Sequence, residues 1–358
     1  TVLNGGSAAA LYGSSASNGA IIITTKKGKK GVNRVNVSHT TTFEEVSFYP
    51  ALQDKFGSGS AAGEQTYVPY ENQQYGPAFN GSMVQIGKPL ADGSIQTVPY
   101  SARNDKYDFW ETGMQNQTDF SLSSGNDKAT IYVAGQRLDV KGTTPNDEYN
   151  RTAVRINGTQ DIRDNLRFSF NTNFTQNNYD ITTQTANVYD ALLQTPAHIP
   201  LLSYKDWRNN PYANPNGYYN EYYDNPYFLI DNYRQETRNN YLIGNMELKF
   251  EPLSWLDLTY RIGATNRSTT TKTKTDIFTL TDYTKSISAS KYDVTGGVSD
   301  ASANTIQLNS DFLAQFEKDV NDFSFKVILG QSLRTNYLKS MSISGNGLVN
   351  PGLFNISN

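Results

Sequence analysis

The 358-residue sequence contains no cysteine and only two histidines, His39 and His198. The lack of cysteine excludes disulfides, thiolate metal sites and a cysteine nucleophile. The two histidines are far apart and neither has a second ligand at metal-binding spacing, so both are predicted to be structural or surface residues. No run of about 18 apolar residues is present, which excludes a membrane-spanning helix. The sequence also does not open with a signal peptide.

Motifs for catalysis and for phosphate binding are missing as well. Glu44 and Glu45 are adjacent in a predicted strand, so their carboxylates point to opposite faces and cannot act as a pair. The glycine-rich segment 57–63 lacks the spacing and the strand-to-helix setting of a dinucleotide loop. The net charge is −3 and the basic residues form no stripe, which argues against a nucleic-acid partner. We therefore predict a protein that is not an enzyme and that needs no cofactor or metal.

The composition is unusual for a compact globular protein of this length. Hydrophobic residues make up only 37% of the chain, the mean hydropathy is −0.58, and 24 residues are tyrosine. A transmembrane β-barrel has this profile, because its interior is polar and aromatic residues form girdles at the two membrane interfaces. The composition therefore favours an all-β fold with one apolar and one polar face.

Alternation of apolar and polar residues predicts nine strands. The clearest lies over 166–174, where Leu166, Phe168 and Phe170 point to one face while Arg167 and Ser169 point to the other. The nine predicted strands cover residues 32–43, 117–124, 129–133, 149–159, 166–174, 242–250, 256–265, 306–316 and 323–329. The polar rows contain charged residues such as Glu247, Arg261 and Asp311, which are costly in hydrocarbon and must face a wet interior.

The connections between these strands alternate in length. Those after strands two, four, six and eight are a few residues long. The others are long loops near 45–116, 178–238 and 269–304, with an intermediate one at 141–148. Short turns at one rim and long loops at the other are typical of an up-and-down antiparallel transmembrane barrel. Since nine strands would leave open edges in lipid, we expect this chain to be part of a longer polypeptide with further strands.

Residues 1–31 have a different character and are predicted to end a separate α+β unit. Ser7 is suited to cap a short helix that Gly13 ends, and Asn18-Gly19 is suited to a tight turn. Residues 20–25 are predicted to form a strand buried on both faces, and the Lys/Gly-rich residues 26–31 a solvated linker. The residues that define this amino-terminal motif are Ala8, Ala9, Leu11, Tyr12, Gly13, Asn18, Gly19, Ile22 and Thr24.

This motif resembles the end of the plug domain of SusC/RagA-type TonB-dependent outer-membrane transporters. Segments 225–227, 238–245 and 255–263 are similar to the matching part of that family's barrel. The resemblance implies a plug at residues 1–31 and the first part of a barrel of about 22 strands at 32–358. It also implies import of an oligosaccharide or peptide across the outer membrane of a Bacteroidetes-like Gram-negative cell. The implied partners are membrane lipid, a SusD-like surface lipoprotein, and TonB acting through a segment before residue 1.

The second long loop is the best candidate for ligand binding, because tyrosine offers a flat apolar ring and a hydroxyl to sugars or peptides. Three roles are open for its aromatic residues: contact with substrate, contact with a lid protein, or packing within the loop. The candidate residues are Trp207, Tyr212, Tyr218, Tyr219, Tyr222, Tyr223 and Tyr227, with Trp110 from the first loop. Two alternatives to import also remain: a non-transporting barrel subunit of a larger outer-membrane or secretion assembly, and a soluble glycan-binding β protein or hydrolase.

Overall fold

The computed structural model describes residues 2–12, 16–21, 26, 28–31, 33–60 and 65–358. At the amino terminus, strand β1 (Val2–Leu3) pairs antiparallel with β2 (Ala20–Ile21), and helix α1 (Gly5–Tyr12) lies between them in the chain. The prediction of a helix capped by Ser7 is wrong in its start, because the helix begins two residues earlier and Ser7 lies within it. A turn is present at Asn18-Gly19, where Gly19 has φ +102° and donates its N–H to Ala16 O at 2.9 Å.

The structure describes only part of the predicted amino-terminal motif. Gly13, Ile22 and Thr24 lie outside the described residues. Ile21 is 73% exposed, so the expectation of a strand buried on both faces is wrong at this position. The described linker residues are largely accessible to solvent and are held at three points: Lys26 O accepts a hydrogen bond from Asn157 Nδ2 at 2.6 Å, Lys30 pairs with Asp127 at 2.6 Å, and Gly31 N–H donates to Gly125 O at 3.0 Å.

The described residues from 33 onwards form nine long strands joined into one antiparallel sheet, with smaller elements in the loops. The elements in chain order are β3 (Asn33–Glu44), β4 (Met83–Ile86), β5 (Gln96–Pro99), α2 (Asp105–Asp108), β6 (Gly113–Gly125), β7 (Ala129–Lys141), β8 (Glu148–Arg163), β9 (Leu166–Thr182), α3 (Thr185–Gln194), a 3-10 turn (Leu201–Tyr204), α4 (Pro226–Asn232), β10 (Tyr233–Leu253), β11 (Leu256–Phe278), α5 (Asp282–Ile287), β12 (Val294–Val320) and β13 (Phe323–Asn346). Among the described residues, no helix combines the length and apolarity of a membrane span.

Each strand of the large sheet pairs with its neighbour in sequence, in the order β13-β12-β11-β10-β9-β8-β7-β6-β3, so the predicted up-and-down topology is confirmed. The sheet is open, with β3 and β13 at its edges. Three long loops connect strands at one rim, beside the short connection 142–147 between β7 and β8. They are loop 1 (residues 45–112), loop 2 (183–232) and loop 3 (279–293). Loop 3 is shorter than the 269–304 expected, because residues 269–278 and 294–304 continue β11 and β12 as paired strand.

The two faces of the sheet differ as the alternation predicts. On the convex face, Leu248, Tyr260 and Phe312 are directly cross-strand neighbours and 41–46% exposed. These side chains therefore do not pack into a common buried core. On the concave face, Glu247, Arg261 and Asp311 occupy the corresponding row one residue away. The apolar band continues across the neighbouring strands, and the same face becomes polar towards the loops.

Candidate binding site

The concave face carries a continuous polar lining. Two cavities of about 620 and 520 Å³ lie along it. In the smaller one Arg261 pairs with Glu247 across β10 and β11. In the same cavity Ser332 Oγ donates to Asp311 Oδ1 at 2.6 Å. At the level of the apolar band, paired and hydrogen-bonded charges on this face are what a sheet needs when the face lines a water-filled interior.

The three loops pack together above this face around a buried aromatic cluster, which we term the loop core. Its members come from loops 1 and 2, so side chains more than 100 residues apart in sequence build one interior. The loop core comprises Ile86, Val98, Phe109, Val188, Leu192, Ile199, Leu201, Tyr204, Trp207, Ala213, Tyr218, Tyr219, Tyr227, Phe228, Leu229 and Ile230. Because so many aromatic side chains of loops 1 and 2 are buried together, the loops form one folded unit.

Four of the eight predicted ligand-binding residues belong to this core. Trp207, Tyr218, Tyr219 and Tyr227 are 2–8% exposed. The ring centroids of Tyr218 and Tyr219 are 4.9 Å apart, and burial raises the pKa of Tyr219 to about 12. In this arrangement the four rings pack against other residues of the loops and not against a ligand. Direct contact with a ligand would require the loop core to open.

The other four predicted residues lie at its margin. Tyr212 and Trp110 are half-buried and pack against the loop core. Tyr223 is half-buried and Tyr222 is 54% exposed. Tyr222 and Tyr223 line a cavity of about 430 Å³ between loops 2 and 3, so these two remain candidates for ligand contact.

An ionic network joins all three loops beside this cavity. Lys88 of loop 1 pairs with the buried Glu221 of loop 2 at 2.7 Å. Glu221 also accepts hydrogen bonds from Ser288 Oγ and Ala289 N of loop 3, at 2.8 and 2.9 Å. Although burial alone would raise the pKa of Glu221, these hydrogen bonds and the Lys88 charge together hold it below its usual range. The network fixes the relative positions of the loops around the cavity.

The floor of the cavity connects it to the concave face. Tyr233, Thr275 and Gly297 form one cross-strand row of β10, β11 and β12, and all three line the cavity. This row lies on the same face as Arg261, at the loop end of the sheet. A molecule in the cavity would therefore be in contact with both the outer loops and the start of the polar interior.

Charged groups in the cavity were not singled out by sequence reasoning. Asp224 is exposed at the cavity and is attracted by Lys291. Burial lowers the pKa of Lys291 to about 8. The only sequence signal was the acidic pair Glu221 and Asp224 within a tyrosine-rich stretch. Among the described residues, no group of His, Cys, Asp and Glu could hold a metal ion.

His198 is buried in loop 2, so the structural role that the sequence predicts agrees with its position. Its ring is surrounded by Tyr67, Phe79 and Tyr100, with centroids 5.1–5.9 Å away. Neither ring nitrogen has a hydrogen-bond partner among the described residues. Burial lowers its pKa to about 4, so the ring is neutral at pH 7. His39 lies on the exposed strand β3 and contacts Thr118 at 2.9 Å.

Comparison with curated proteins finds matches to TonB-dependent receptors. The chain is 26% identical over 267 residues to the TonB-dependent receptor SusC of Bacteroides thetaiotaomicron, covering 70% of this chain and 24% of SusC. It is 27% identical over 172 residues to the TonB-dependent receptor P39 of Formosa agariphila, covering 48% of this chain and 14% of that protein. No family model matches the chain. The chain thus spans less than a quarter of the curated relatives' lengths.

Solved structures show the same fold. The RagAB peptide importer in its closed-closed state matches with a TM-score of 0.65 at 16% identity, over 97% of this chain and 39% of that one. The open-open state matches with a TM-score of 0.64 at 14% identity, over 98% of this chain and 40% of that one. The amino-terminal motif, the up-and-down sheet and these relatives together show that this chain is similar to SusC/RagA-type TonB-dependent receptors.

Proposed function

We propose that this chain contributes the end of a plug domain, at residues 1–31, and nine barrel strands, at 32–358, to an active importer of the outer membrane. The observation that carries the proposal is the two-faced sheet. On β10 the apolar band runs from Leu242 to Phe250 on the convex face, while Asn245 and Glu247 line the cavity of about 520 Å³ on the other face. Lipid contact on one side and water on the other explains this division, because charged groups are costly in hydrocarbon.

The proposed cargo is an oligosaccharide or a peptide, captured with the help of a SusD-like surface lipoprotein. The similarity to the RagAB peptide importer supports the peptide, and the resemblance to SusC/RagA-type transporters supports the wider range. In this proposal the loop core holds the loops in place while Tyr222 and Tyr223 meet the cargo. TonB would supply the force that displaces the plug, so this chain itself would need no cofactor. The host is a Bacteroidetes-like Gram-negative cell.

The test is uptake by cells that depend on the full-length protein. A strain lacking its gene is grown on a panel of single oligosaccharides and peptide mixtures as sole carbon source, beside a complemented strain and a strain lacking TonB. We expect growth on at least one substrate to be lost in both mutants and restored by complementation. Unchanged growth on every substrate, together with co-purification of secretion or assembly factors instead of a single lipoprotein, would favour the non-transporting barrel subunit.

A further inference from the structure

The cavity between loops 2 and 3 contains one carboxylate that the protein leaves unpaired. Of its three acidic residues, Glu221 is paired with Lys88 at 2.7 Å. Asp293 is paired with Lys285 at 2.6 Å and also accepts the N–H of Leu280 at 2.8 Å. Asp224, in contrast, forms no hydrogen bond or salt bridge with a described residue, and only the longer-range attraction of Lys291 acts on it. A carboxylate offers about four acceptor positions, and those of Asp224 are open to whatever enters the cavity.

The remaining walls favour a cation with an organic body. Tyr222, Tyr223 and Tyr292 line the same cavity as Asp224, and Tyr222 and Tyr292 are 54% and 78% exposed. The floor is apolar where Phe278 and Leu280 contribute to it. A carboxylate beside aromatic faces is a combination that binds ammonium groups, because the charge and the ring quadrupoles both attract a positive centre.

Lys291 is the group that could favour an anion instead. Its ammonium donates to Pro215 O at 3.1 Å and to Tyr218 O at 2.9 Å, which uses two of its three N–H donors. These bonds hold Lys291 as part of the wall between loops 2 and 3. An anion entering the cavity would find one free donor at Lys291 and would face the unpaired charge of Asp224, so a cation is the better match.

We infer that this cavity is a subsite for a primary ammonium group of the cargo, with Asp224 as its acceptor and Tyr222, Tyr223 and Tyr292 around its organic body. This inference rests on the proposed import function and narrows the cargo to molecules that carry a free amine. The amine could belong to a peptide or to an amino sugar, and the two sources are separated by the choice of probes.

The test is binding to the full-length receptor as purified from outer membranes in detergent. Titration calorimetry at pH 7 compares two matched pairs of probes: tetra-alanine with N-acetyl-tetra-alanine, and the glucosamine trisaccharide with its fully N-acetylated form. Within at least one pair we expect the free amine to bind at least 10-fold more tightly than the acetylated probe. Preference in the peptide pair alone assigns the amine to a peptide, and preference in the sugar pair alone assigns it to an amino sugar.

Variants then test the acceptor. Asp224→Asn keeps the shape and removes the charge, and it should reduce the preference to less than twofold. Asp54→Asn makes the same change at an exposed position of loop 1 outside the cavity and should keep the 10-fold preference. Equal affinity within both pairs, or no binding of any probe to the wild-type receptor, overturns the inference without any variant. Loss of growth in the gene deletion would still support import in that case, so the two failures are distinguishable.

Discussion

The apolar band on the convex face makes a quantitative prediction at Met246, in the middle of the β10 stretch from Leu242 to Phe250. Eight residue steps at about 3.4 Å, tilted by about 40°, give a band about 20 Å tall. Met246 then lies about 10 Å from either edge, farther than an arginine side chain reaches. It is 54% exposed, so the new charge would meet lipid. Met246→Arg should therefore cost about 2–4 kcal/mol of folding free energy in a bilayer.

The neighbouring residue supplies the control. Asn245 points to the concave face and donates to Asn171 Oδ1 at 3.2 Å, beside a cavity of about 520 Å³ that has room for a longer side chain. Asn245→Arg should cost about 1 kcal/mol or less, since it removes one hydrogen bond and leaves the charge in water. The assay is equilibrium urea unfolding of the full-length protein in lipid vesicles. A neutral effect of Met246→Arg with a large loss for Asn245→Arg would refute the assignment of the faces.

Three further predictions concern the loops. The pKa of His198 is about 4 in the folded chain and about 6.5 when unfolded, so its contribution to loop stability is present above pH 6.5 and is lost as the pH falls through 4. The expected loss of loop stability is about 3 kcal/mol. Hydrogen exchange of the loop amides measures it, and it should be absent in His198→Phe. Arg234 is buried and binds Asp147 and Asp180 at 2.9 and 2.8 Å, so Arg234→Met should cost about 3 kcal/mol in urea unfolding, and a cost below 1 would contradict this. Trp207→Ala should destabilise the loops by about 3–5 kcal/mol, whereas Tyr222→Ala should leave unfolding unchanged and weaken binding of the preferred probe; the reverse pattern would contradict the division between core and cavity.

Sequence alternation predicted the strands where one face is apolar, because burial or lipid contact then imposes a period of two. Alternation did not predict the parts of the strands that lie between the apolar band and the loops. Residues 269–278 of β11 and 294–304 of β12 are rich in Thr, Ser, Lys and Asp on both faces, so nothing in their pattern separates them from a loop. Their pairing, such as Lys272 opposite Asp300, depends on backbone hydrogen bonds continued from the strands below.

The candidate site was harder to predict, because it is assembled by distant segments. Tyrosine enrichment in loop 2 pointed to the correct loop, but composition alone could not tell that Tyr218 packs inside and Tyr222 lies outside. That difference depends on membership of the loop core, which includes Ile86 and Phe109 of loop 1. Likewise, only the fold shows that Lys88 neutralises Glu221 while Asp224 is left unpaired.

The central claim is that one face of each strand meets lipid and the other meets water, and cysteine accessibility along β10 tests it most directly. This chain has no cysteine of its own, so single cysteines can be placed at each position from 242 to 250 in the full-length protein, in a background without other cysteines. A membrane-impermeant maleimide should label the odd positions in outer-membrane vesicles, while fluorophores attached at the even positions should be quenched by a lipid-soluble quencher. Labelling with no two-residue period, or with the opposite phase, would contradict the account.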